Sequence, residues 1–414
     1  MDFEINKEQK KWVEITREVC EKYIDADDIR RRADISSQVN TREELDANMP
    51  WDVFEKMHDA GLRTLVMPKK YGGGGAGWLT GALVAEEVGY QAGILCRCIA
   101  QDHMYCGRLE FSGSEKQREE IFAEMLSDKR WIGCVGILEN DLNMDYTTDK
   151  EGFGFKCFAR KEGDEYIING RKTDSRGGGM ANWIMPLAVR TSMEGKPSEN
   201  STRLIVRTDT PGVSIEKFNH LIGEDLTGNV DWLFEDVRVP VDSVFGGADK
   251  ANQGLAGLQL YTSMKVMPFY GLIGWARKIY ELTLDYAKKK TQGGRPIIEQ
   301  AQIAAIIPEM AVRIETVRLL MLKAAYQCEI DFKAGRPQNR VWGLWLNYYY
   351  KDVAARLCQI VSEVFGYRVS DKELPIESYI RYFYSMYYGG GTPLNTLIEC
   401  APALAKNPWP EMHS

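Results

Sequence analysis

The stretch Phe234-Glu235-Asp236-Val237-Arg238-Val239-Pro240 decides how this 414-residue chain is divided. With Trp232 before it, the stretch places apolar residues between charged ones at a spacing close to two, which is typical of a strand with one buried face. Five earlier segments show the same alternation, and turn signals such as Asn169-Gly170 separate them. These segments are 153–159, 166–168, 183–189, 204–207 and 213–217. The pattern therefore predicts a β domain over residues 131–245.

Helical periodicity flanks this β domain on both sides. Residues 1–130 repeat apolar side chains at a spacing of about 3.6 and include a predicted helix from Trp51 to Ala60, which Gly61 ends. Helical periodicity returns after Gly246 and continues through residue 414. It predicts helices over 255–292, 299–334, 340–364, 376–388 and 394–405. The order of elements predicts an α+β chain of three parts, at 1–130, 131–245 and 246–414.

The composition is that of a mildly acidic soluble protein. The chain has 52 basic and 59 acidic residues, a net charge of −7 that does not favour nucleic acid as a partner. No apolar run is long enough to span a bilayer, and Met1-Asp2-Phe3-Glu4 is not a signal-peptide start. We therefore expect a cytoplasmic protein. Nine scattered cysteines predict reduced thiols, and with only four histidines we expect no metal site.

The order of these parts and several motifs resemble the acyl-CoA dehydrogenase family. Residues 234–240, with Gly246-Gly247 beyond them, look like the F-E-D-V-R-V-P segment that closes the β domain of that family. Asn169-Gly170-Arg171-Lys172 resembles its N-G-x-K hairpin. Three further matches extend the resemblance over nearly the whole chain: Tyr71-Gly72-Gly73 with Glu86-Glu87, Tyr286-Ala287 through Pro296-Ile297, and the register from Gly366 through Arg381 to Gly391-Thr392.

The resemblance implies a fold, a cofactor and partners. It implies a middle β-barrel or sandwich, a C-terminal four-helix bundle, and FAD held between the β domain and the C-terminal helices. The substrate would be a CoA thioester, the assembly a homotetramer or homodimer, and the electron acceptor an electron-transfer flavoprotein or a similar protein. The expected reaction removes a proton from the carbon α to the thioester with a carboxylate, while hydrogen bonds to the carbonyl oxygen stabilise the enolate.

The chain lacks that carboxylate at both positions where the family carries it. One position is the residue before Gly391-Thr392, which is Gly390 here. The other lies on the first long helix after the β domain and corresponds to Met264. The three glycines at 389–391 leave room for a bulky substrate, and the resemblance extends to dehydrogenases of alicyclic CoA thioesters, in which an Asp can replace the usual Glu.

The residues that correspond to flavin contacts are altered as well. An aromatic-Ile-Thr run of the family becomes Asp174-Ser175-Arg176, and an Arg that reaches the flavin pyrophosphate becomes Lys290. The resemblance assigns the cofactor-binding residues as Leu138, Ser175, Arg176, Lys290, Gln292, Glu363, Gly366 and Thr392. It assigns the substrate-binding residues as Arg97, Met144, Met264, Gly390 and Gly391.

The base must then come from elsewhere, and the apolar run 94–111 offers two candidates. Asp102 is the first, because a carboxylate in an apolar pocket has a raised pKa that suits proton abstraction near neutrality. The alternative is that Asp102 pairs with Arg97 or Arg108 and is structural. His103 is the second candidate, against the role of a hydrogen-bonded buried histidine. Arg97 could instead bind a substrate carboxylate.

Three functions remain open at this point. The first is an FAD-dependent dehydrogenase or reductase of a bulky or cyclic acyl-CoA. The second is a non-catalytic subunit that completes the flavin site of a partner in a hetero-oligomer. The third is a non-redox CoA-thioester enzyme on the same scaffold.

Overall fold

The computed structural model describes residues 4–142, 149–223, 226, 228–253, 262–334 and 340–406. The chain forms two compact units that interleave along the sequence. The helical unit consists of residues 1–30, 76–100 and 262–414, and the sheet unit consists of residues 31–75 and 101–261. The division into domains at 130 and 245 stays a prediction.

The first 130 residues are helical, as predicted. Two of these helices, α1 (Lys7–Tyr23) and α7 (Glu115–Ser127), begin at capping boxes. In α1, the side chains of Asn6 and Gln9 each accept a hydrogen bond from the backbone amide of the other residue, and Ser114 and Gln117 do the same in α7. The helices are α1 (Lys7–Tyr23), α2 (Ala26–Ser36), α3 (Arg42–Asn48), α4 (Trp51–Asp59), α5 (Trp78–Gln91), α6 (Cys96–Ser112) and α7 (Glu115–Ser127).

The strands of the sheet unit form one connected sheet, which confirms the predicted β domain. They are β1 (Gly133–Gly136), β2 (Phe158–Glu162), β3 (Glu165–Arg176), β4 (Trp183–Arg190), β5 (Ser201–Arg207), β6 (Val213–Asn219) and β7 (Asn229–Pro240). The strand order is β1-β4-β2-β3-β7-β6, with β5 paired to β4. A four-residue helix, α8 (Pro197–Asn200), precedes β5. The opening stretch Phe234 to Pro240 is the second half of β7, antiparallel to β3.

Two sequence predictions about these strands are wrong. The segment 153–159 is a strand only from Phe158, because the backbone amides of Lys156 and Cys157 donate to the Glu139 carboxylate rather than to a neighbouring strand. Asn169-Gly170 is not a hairpin turn. It lies within β3 at a register shift against β7, and the turn between β2 and β3 falls at residues 163–164.

The helices after the sheet follow the predicted ones closely. They are α9 (Thr262–Lys289), α10 (Ala301–Lys333), α11 (Arg340–Phe365), α12 (Pro375–Tyr388) and α13 (Pro393–Lys406). A two-stranded hairpin, β8 (Thr291–Gln292) with β9 (Arg295–Pro296), joins α9 to α10. The predicted residues 255–261 lie outside the described residues.

Glycines let α5 and α9 pack with their backbones in contact. A Cβ added at Gly274 would lie 1.8 Å from the carbonyl oxygen of Glu86, and one at Gly89 would lie 1.8 Å from that of Gly271. No other residue type leaves room for this approach. Helices α5 and α9 of the helical unit are therefore packed closely against each other.

Some general features hold for the part of the chain that the structure describes. No helix there combines the length and apolar character needed to cross a membrane. All nine cysteines are free and buried. The described residues contain no cluster of three or more His, Cys, Asp or Glu suited to a metal ion.

Candidate active site

The segment between α12 and α13 carries three consecutive glycines, Gly389, Gly390 and Gly391, which we call the glycine loop. Gly390 has φ +70° and Gly391 has φ +95°, left-handed conformations that residues with a Cβ rarely adopt. A Cβ added at Gly390 would meet no atom within 4 Å. The position where the family places a carboxylate therefore faces open space in this chain.

Two side chains of α11 hold the carbonyl oxygens of the glycine loop. The Lys351 ammonium donates to Gly389 O at 3.0 Å and to Gly391 O. Asn347, one turn earlier, donates to Gly390 O at 3.2 Å and to the Thr396 hydroxyl at 3.0 Å. Both side chains are fully buried. Sequence reasoning missed them, although a lysine after Tyr348-Tyr349-Tyr350 in an apolar helix was an available signal.

The anchoring of these carbonyls determines where the loop amides point. In a trans peptide the N–H lies antiparallel to the C=O. Since the carbonyls of Gly389, Gly390 and Gly391 face α11, the N–H groups of Gly390, Gly391 and Thr392 point away from it. Consecutive amides of this kind can stabilise an oxygen that gains negative charge.

Thr392, predicted to bind cofactor, lies at the N-terminus of α13. Its hydroxyl accepts a hydrogen bond from the Asn395 backbone amide at 3.3 Å. This is the geometry of an N-cap, so the hydroxyl stabilises the start of the helix.

Asp102 is buried in an ion pair with Arg63. The Arg63 Nε donates to Oδ2 at 2.7 Å and Nη2 donates to Oδ1 at 3.2 Å, so both carboxylate oxygens are engaged. Arg63 also donates to the carbonyl oxygens of Lys129 and Trp131. Burial raises the pKa of Asp102, and the guanidinium opposes that effect. The sequence named Arg97 or Arg108 as a structural partner, whereas the structure places Arg63 there.

His103 is buried next to Asp102 on α6. Its Nε2 lies 2.8 Å from the carbonyl oxygen of Leu62, which defines Nε2 as the protonated nitrogen of a neutral ring. Burial lowers the pKa of His103 to about 4, although this hydrogen bond acts in the other direction. The ring is therefore neutral near pH 7.

The predicted flavin contacts of the sheet unit lie at the ends of β1 and β3. The Ser175 hydroxyl is buried and donates to Val135 O, and the Leu138 carbonyl accepts from the Thr173 amide. Arg176 is half-buried at the end of β3, and its carbonyl oxygen accepts from Gln101. Asp174 is exposed at φ +52°. The strand end thus presents an acid and a guanidinium where the family carries an aromatic ring and a threonine.

The predicted flavin contacts of the helical unit lie on the β8–β9 hairpin and at the end of α11. Lys290 and Gln292 are exposed on or beside the hairpin, and Arg295 is exposed on its second strand. Glu363 is 54% exposed and lies 3.6 Å from Arg356, and Gly366 follows the end of α11. Exposed cations on a short hairpin are suited to an anionic ligand.

Three predicted substrate contacts lie wholly or partly outside the described part of the chain. Met144 lies outside the described residues. Arg97 lies on α6 and Met264 lies on α9, but their side chains are outside the part of the chain that the structure describes.

The residues present fit an FAD. Lys290 and Arg295 offer positive charge without a buried ion pair, as a pyrophosphate requires. In the sheet unit, Arg176 offers a cation suited to a ring system that gains negative charge on reduction, while the Ser175 hydroxyl is used within the sheet. The two sets belong to different units, and each fits by its own chemistry.

The described residues form an α+β protein in which helices precede and follow a sheet of seven strands. A buried lysine holds the glycine loop of its helical unit. Sequence comparison then identifies the family. Residues 6–129, 145–237 and 262–393 match the N-terminal, middle and C-terminal domains of acyl-CoA dehydrogenases. The chain belongs to the acyl-CoA dehydrogenase family.

Individual relatives agree with this family. The probable acyl-CoA dehydrogenase YngJ of Bacillus subtilis (strain 168) is 28% identical over 396 residues, 95% of this chain and 96% of that protein. The acryloyl-CoA reductase (NADH) of Anaerotignum propionicum is 26% identical over 341 residues, 81% and 79% of the two chains. The structure of butyryl-CoA dehydrogenase from Megasphaera elsdenii superposes with a TM-score of 0.81 at 20% identity, over 98% of this chain and 100% of that one.

Family membership confirms several predictions at a coarse level. The chain is an FAD-dependent oxidoreductase of acyl-CoA thioesters, and the predicted fold class is confirmed. The roles of individual site residues, the base and the acyl group remain predictions.

The buried Arg63–Asp102 ion pair predicts that Asp102 is needed for stability. Asp102→Asn leaves the Arg63 charge buried without its counter-ion, so we expect the free energy of unfolding to fall by about 3–5 kcal/mol. The double variant Arg63→Met/Asp102→Leu should recover part of this loss. Denaturant unfolding measures both effects. An Asp102→Asn variant as stable as the wild type that has lost only turnover would contradict the structural role and support the catalytic one.

The low pKa of His103 predicts that the folded protein loses stability in acid. Its folded-state pKa of about 4 lies below the ordinary value of 6.5, so the unfolded chain binds the proton more readily between these pH values. Stability should therefore fall as the pH drops from 6.5 to 4, with up to about 3 kcal/mol contributed by this group. His103→Gln keeps a donor for Leu62 O but does not titrate. The prediction would be refuted if the free energies of unfolding of the wild type and of His103→Gln changed equally between pH 6.5 and pH 4.

Proposed function

We propose that the chain is an FAD-dependent dehydrogenase or reductase of a bulky or cyclic acyl-CoA, with proton transfer assigned to a group other than a carboxylate at position 390 or 264. The observation that carries this proposal is the open space at Gly390, where an added Cβ would meet no atom within 4 Å. A side chain at this position would occupy that space. Its absence leaves room for an acyl group with a larger cross-section.

The glycine loop supplies the electrostatic part of the proposed chemistry. The N–H groups of Gly390, Gly391 and Thr392 point away from α11, so they can donate to the thioester oxygen. These donors are rigid before the reaction begins, and rigid donors stabilise an enolate without reorganisation cost. FAD, when bound, supplies the acceptor or donor of the hydride. Lys290, Gln292 and Arg176 are among the residues that would hold it.

Asp102 and His103 remain candidates for the base. Acting as a base would require Asp102 to leave its two hydrogen bonds with Arg63. The Nε2 of His103 is used by Leu62 O, which leaves Nδ1 as the nitrogen that could accept a proton. The two variants proposed above test these assignments.

We also propose that the chain forms a homotetramer or homodimer. Val312, Leu319 and Tyr326 lie seven residues apart on α10 and are 66%, 43% and 43% exposed. An exposed apolar stripe on one helix is suited to a second copy of the chain. Sedimentation of the purified protein as a monomer would contradict this proposal.

An electron-transfer flavoprotein is the proposed electron acceptor, and the cytoplasm the proposed location. The acceptor rests on the family resemblance, and the location rests on nine scattered cysteines whose spacing does not indicate a disulfide framework. Substrate-reduced protein that fails to reduce an added electron-transfer flavoprotein under anaerobic conditions would exclude it as the acceptor.

The visible spectrum of the purified protein tests the proposed function. We expect a yellow protein whose flavin absorbance is bleached by one of a panel of saturated linear and alicyclic acyl-CoA thioesters under anaerobic conditions. A colourless protein that binds CoA thioesters would support the non-redox alternative. A yellow protein that no thioester bleaches, and that copurifies with a carboxylate-bearing homologue, would support the partner-subunit alternative.

Position 390 allows a matched comparison of volume and charge. Gly390→Gln and Gly390→Glu add side chains of equal size and the same left-handed strain, about 1–2 kcal/mol. Both should weaken binding of alicyclic acyl-CoA more than that of butyryl-CoA, because both fill the open space. Only Gly390→Glu should increase exchange of the α-protons of butyryl-CoA in D2O.

Titration of flavin absorbance and NMR of the recovered thioester measure these effects. Alicyclic and linear thioesters that lose affinity equally in both variants would contradict a role of Gly390 in accommodating bulk.

A further inference from the structure

We propose that Lys351 is a positioning residue whose buried ammonium fixes the glycine loop and strengthens the amide donors on the opposite side of it. The inference rests on the proposed function, because the oxygen that receives these donors is that of a CoA thioester. It concerns how the chain stabilises the enolate and is independent of which group takes the proton.

The first argument is the cost of burying a charge at this point. Lys351 is fully buried, and taking an ammonium out of water costs several kcal/mol. A neutral donor is sufficient to hold a loop carbonyl, as Asn347 does for Gly390 O from the preceding turn of the same helix. Lys351 differs from Asn347 in placing a cation, rather than a neutral amide, directly against two peptide groups of the loop.

The second argument is the direction of the peptide dipoles. The Lys351 ammonium contacts the carbonyl oxygens of Gly389 and Gly391, whose peptide groups carry the N–H of Gly390 and the N–H of Thr392. A cation at the carbonyl end draws electron density from the peptide nitrogen, and this polarisation makes the N–H a stronger donor. In a low-dielectric interior the effect is larger than in water.

The third argument is the net charge that the loop presents. A carboxylate at position 390 would sit on the loop and oppose the charge of Lys351. Gly390 carries no charge, so the field of the ammonium acts on the loop without an opposing charge from that position. No charge at position 390 therefore opposes the polarised amides when an enolate binds.

The experiment measures the ionisation of a bound enolate directly. The probe is acetoacetyl-CoA, which is small and whose enolate absorbs in the near ultraviolet. The pH at which half of the probe is ionised is determined free and bound to the FAD-containing protein. The wild type should lower this pH. Lys351→Gln should raise it again by about one pH unit, a tenfold change in the ionisation constant, whereas Lys351→Arg should retain most of the wild-type shift.

Asn347→Ala is the matched control for loop geometry. It removes one hydrogen bond to the same loop but no charge, so we expect a loss of thermal stability with a change of less than about 0.3 pH unit in the ionisation of the probe. If Lys351→Gln does not fold, Asn347→Asp provides a second route. It places a carboxylate one turn before Lys351, and we expect it to raise the ionisation pH as the neutral variant would.

Each outcome has a defined meaning. Equal shifts in Lys351→Gln and Asn347→Ala would show that loop geometry alone matters and would overturn the inference, as would an unchanged ionisation pH in both Lys351→Gln and Asn347→Asp. Such results would leave the proposed function intact if the wild type binds the probe. A wild-type protein that binds no CoA thioester would overturn the proposed function and the inference together.

Discussion

Two buried glutamates and three partly exposed arginines connect four helices of the helical unit. Glu86 is 1% exposed and accepts hydrogen bonds from Arg277 at 2.8 Å and from Arg318 at 3.0 Å. Glu87 accepts from Arg17 at 2.9 Å and from Arg277 at 3.3 Å. Burial opposes ionisation of Glu87, yet Arg17 and Arg277 hold its pKa below the ordinary value. Four helices, α1, α5, α9 and α10, are thereby connected through adjacent residues of α5. Glycines bring α5 and α9 into backbone contact beside this cluster, and α9 in turn packs against α11, which holds the glycine loop.

The sheet unit uses the same principle with a different set of charges. The fully buried Lys172 of β3 donates to Glu139 at 2.7 Å and to Ile137 O at 3.1 Å. The Glu139 carboxylate in turn accepts the backbone amides of Lys156 and Cys157, which explains why the chain before β2 leaves the sheet. In these clusters, and in the Arg63–Asp102 pair, a carboxylate balances the cation. Lys351 places a buried ammonium against the backbone carbonyl oxygens of Gly389 and Gly391, so part of its charge acts directly on peptide groups.

The limits of sequence reasoning follow from the range of the interactions involved. Periodicity and caps are local, and they gave the helices after the sheet to within a few residues, for example residues 340–364 against Arg340–Phe365. Asn169-Gly170 was wrongly predicted as a turn because pairing with β7 overrides its local turn preference. Asn169 and Asp236 of β7 form two hydrogen bonds with each other. The partner of Asp102 could not be chosen from the sequence, since Arg63 is 39 positions away and two arginines, Arg97 and Arg108, lie much nearer. Glu86-Glu87 was recognised as a motif, but only the structure shows that its function is to bind three arginines.

Under the proposed function, the glycine loop separates the stabilisation of an enolate from the removal of a proton. In a loop whose carbonyls are fixed by α11, the direction of the amides is set by backbone geometry and does not depend on the side chain at position 390. A carboxylate at that position contributes only the proton transfer, a term of about 10²–10⁴ in rate, whereas rigid donors act on the charge that develops at the oxygen. Exchanging the carboxylate for Gly390 therefore removes one term and leaves the other in place. The same exchange leaves space beside the loop, so under the proposed function a change of base and a change of acyl group would both follow from one substitution.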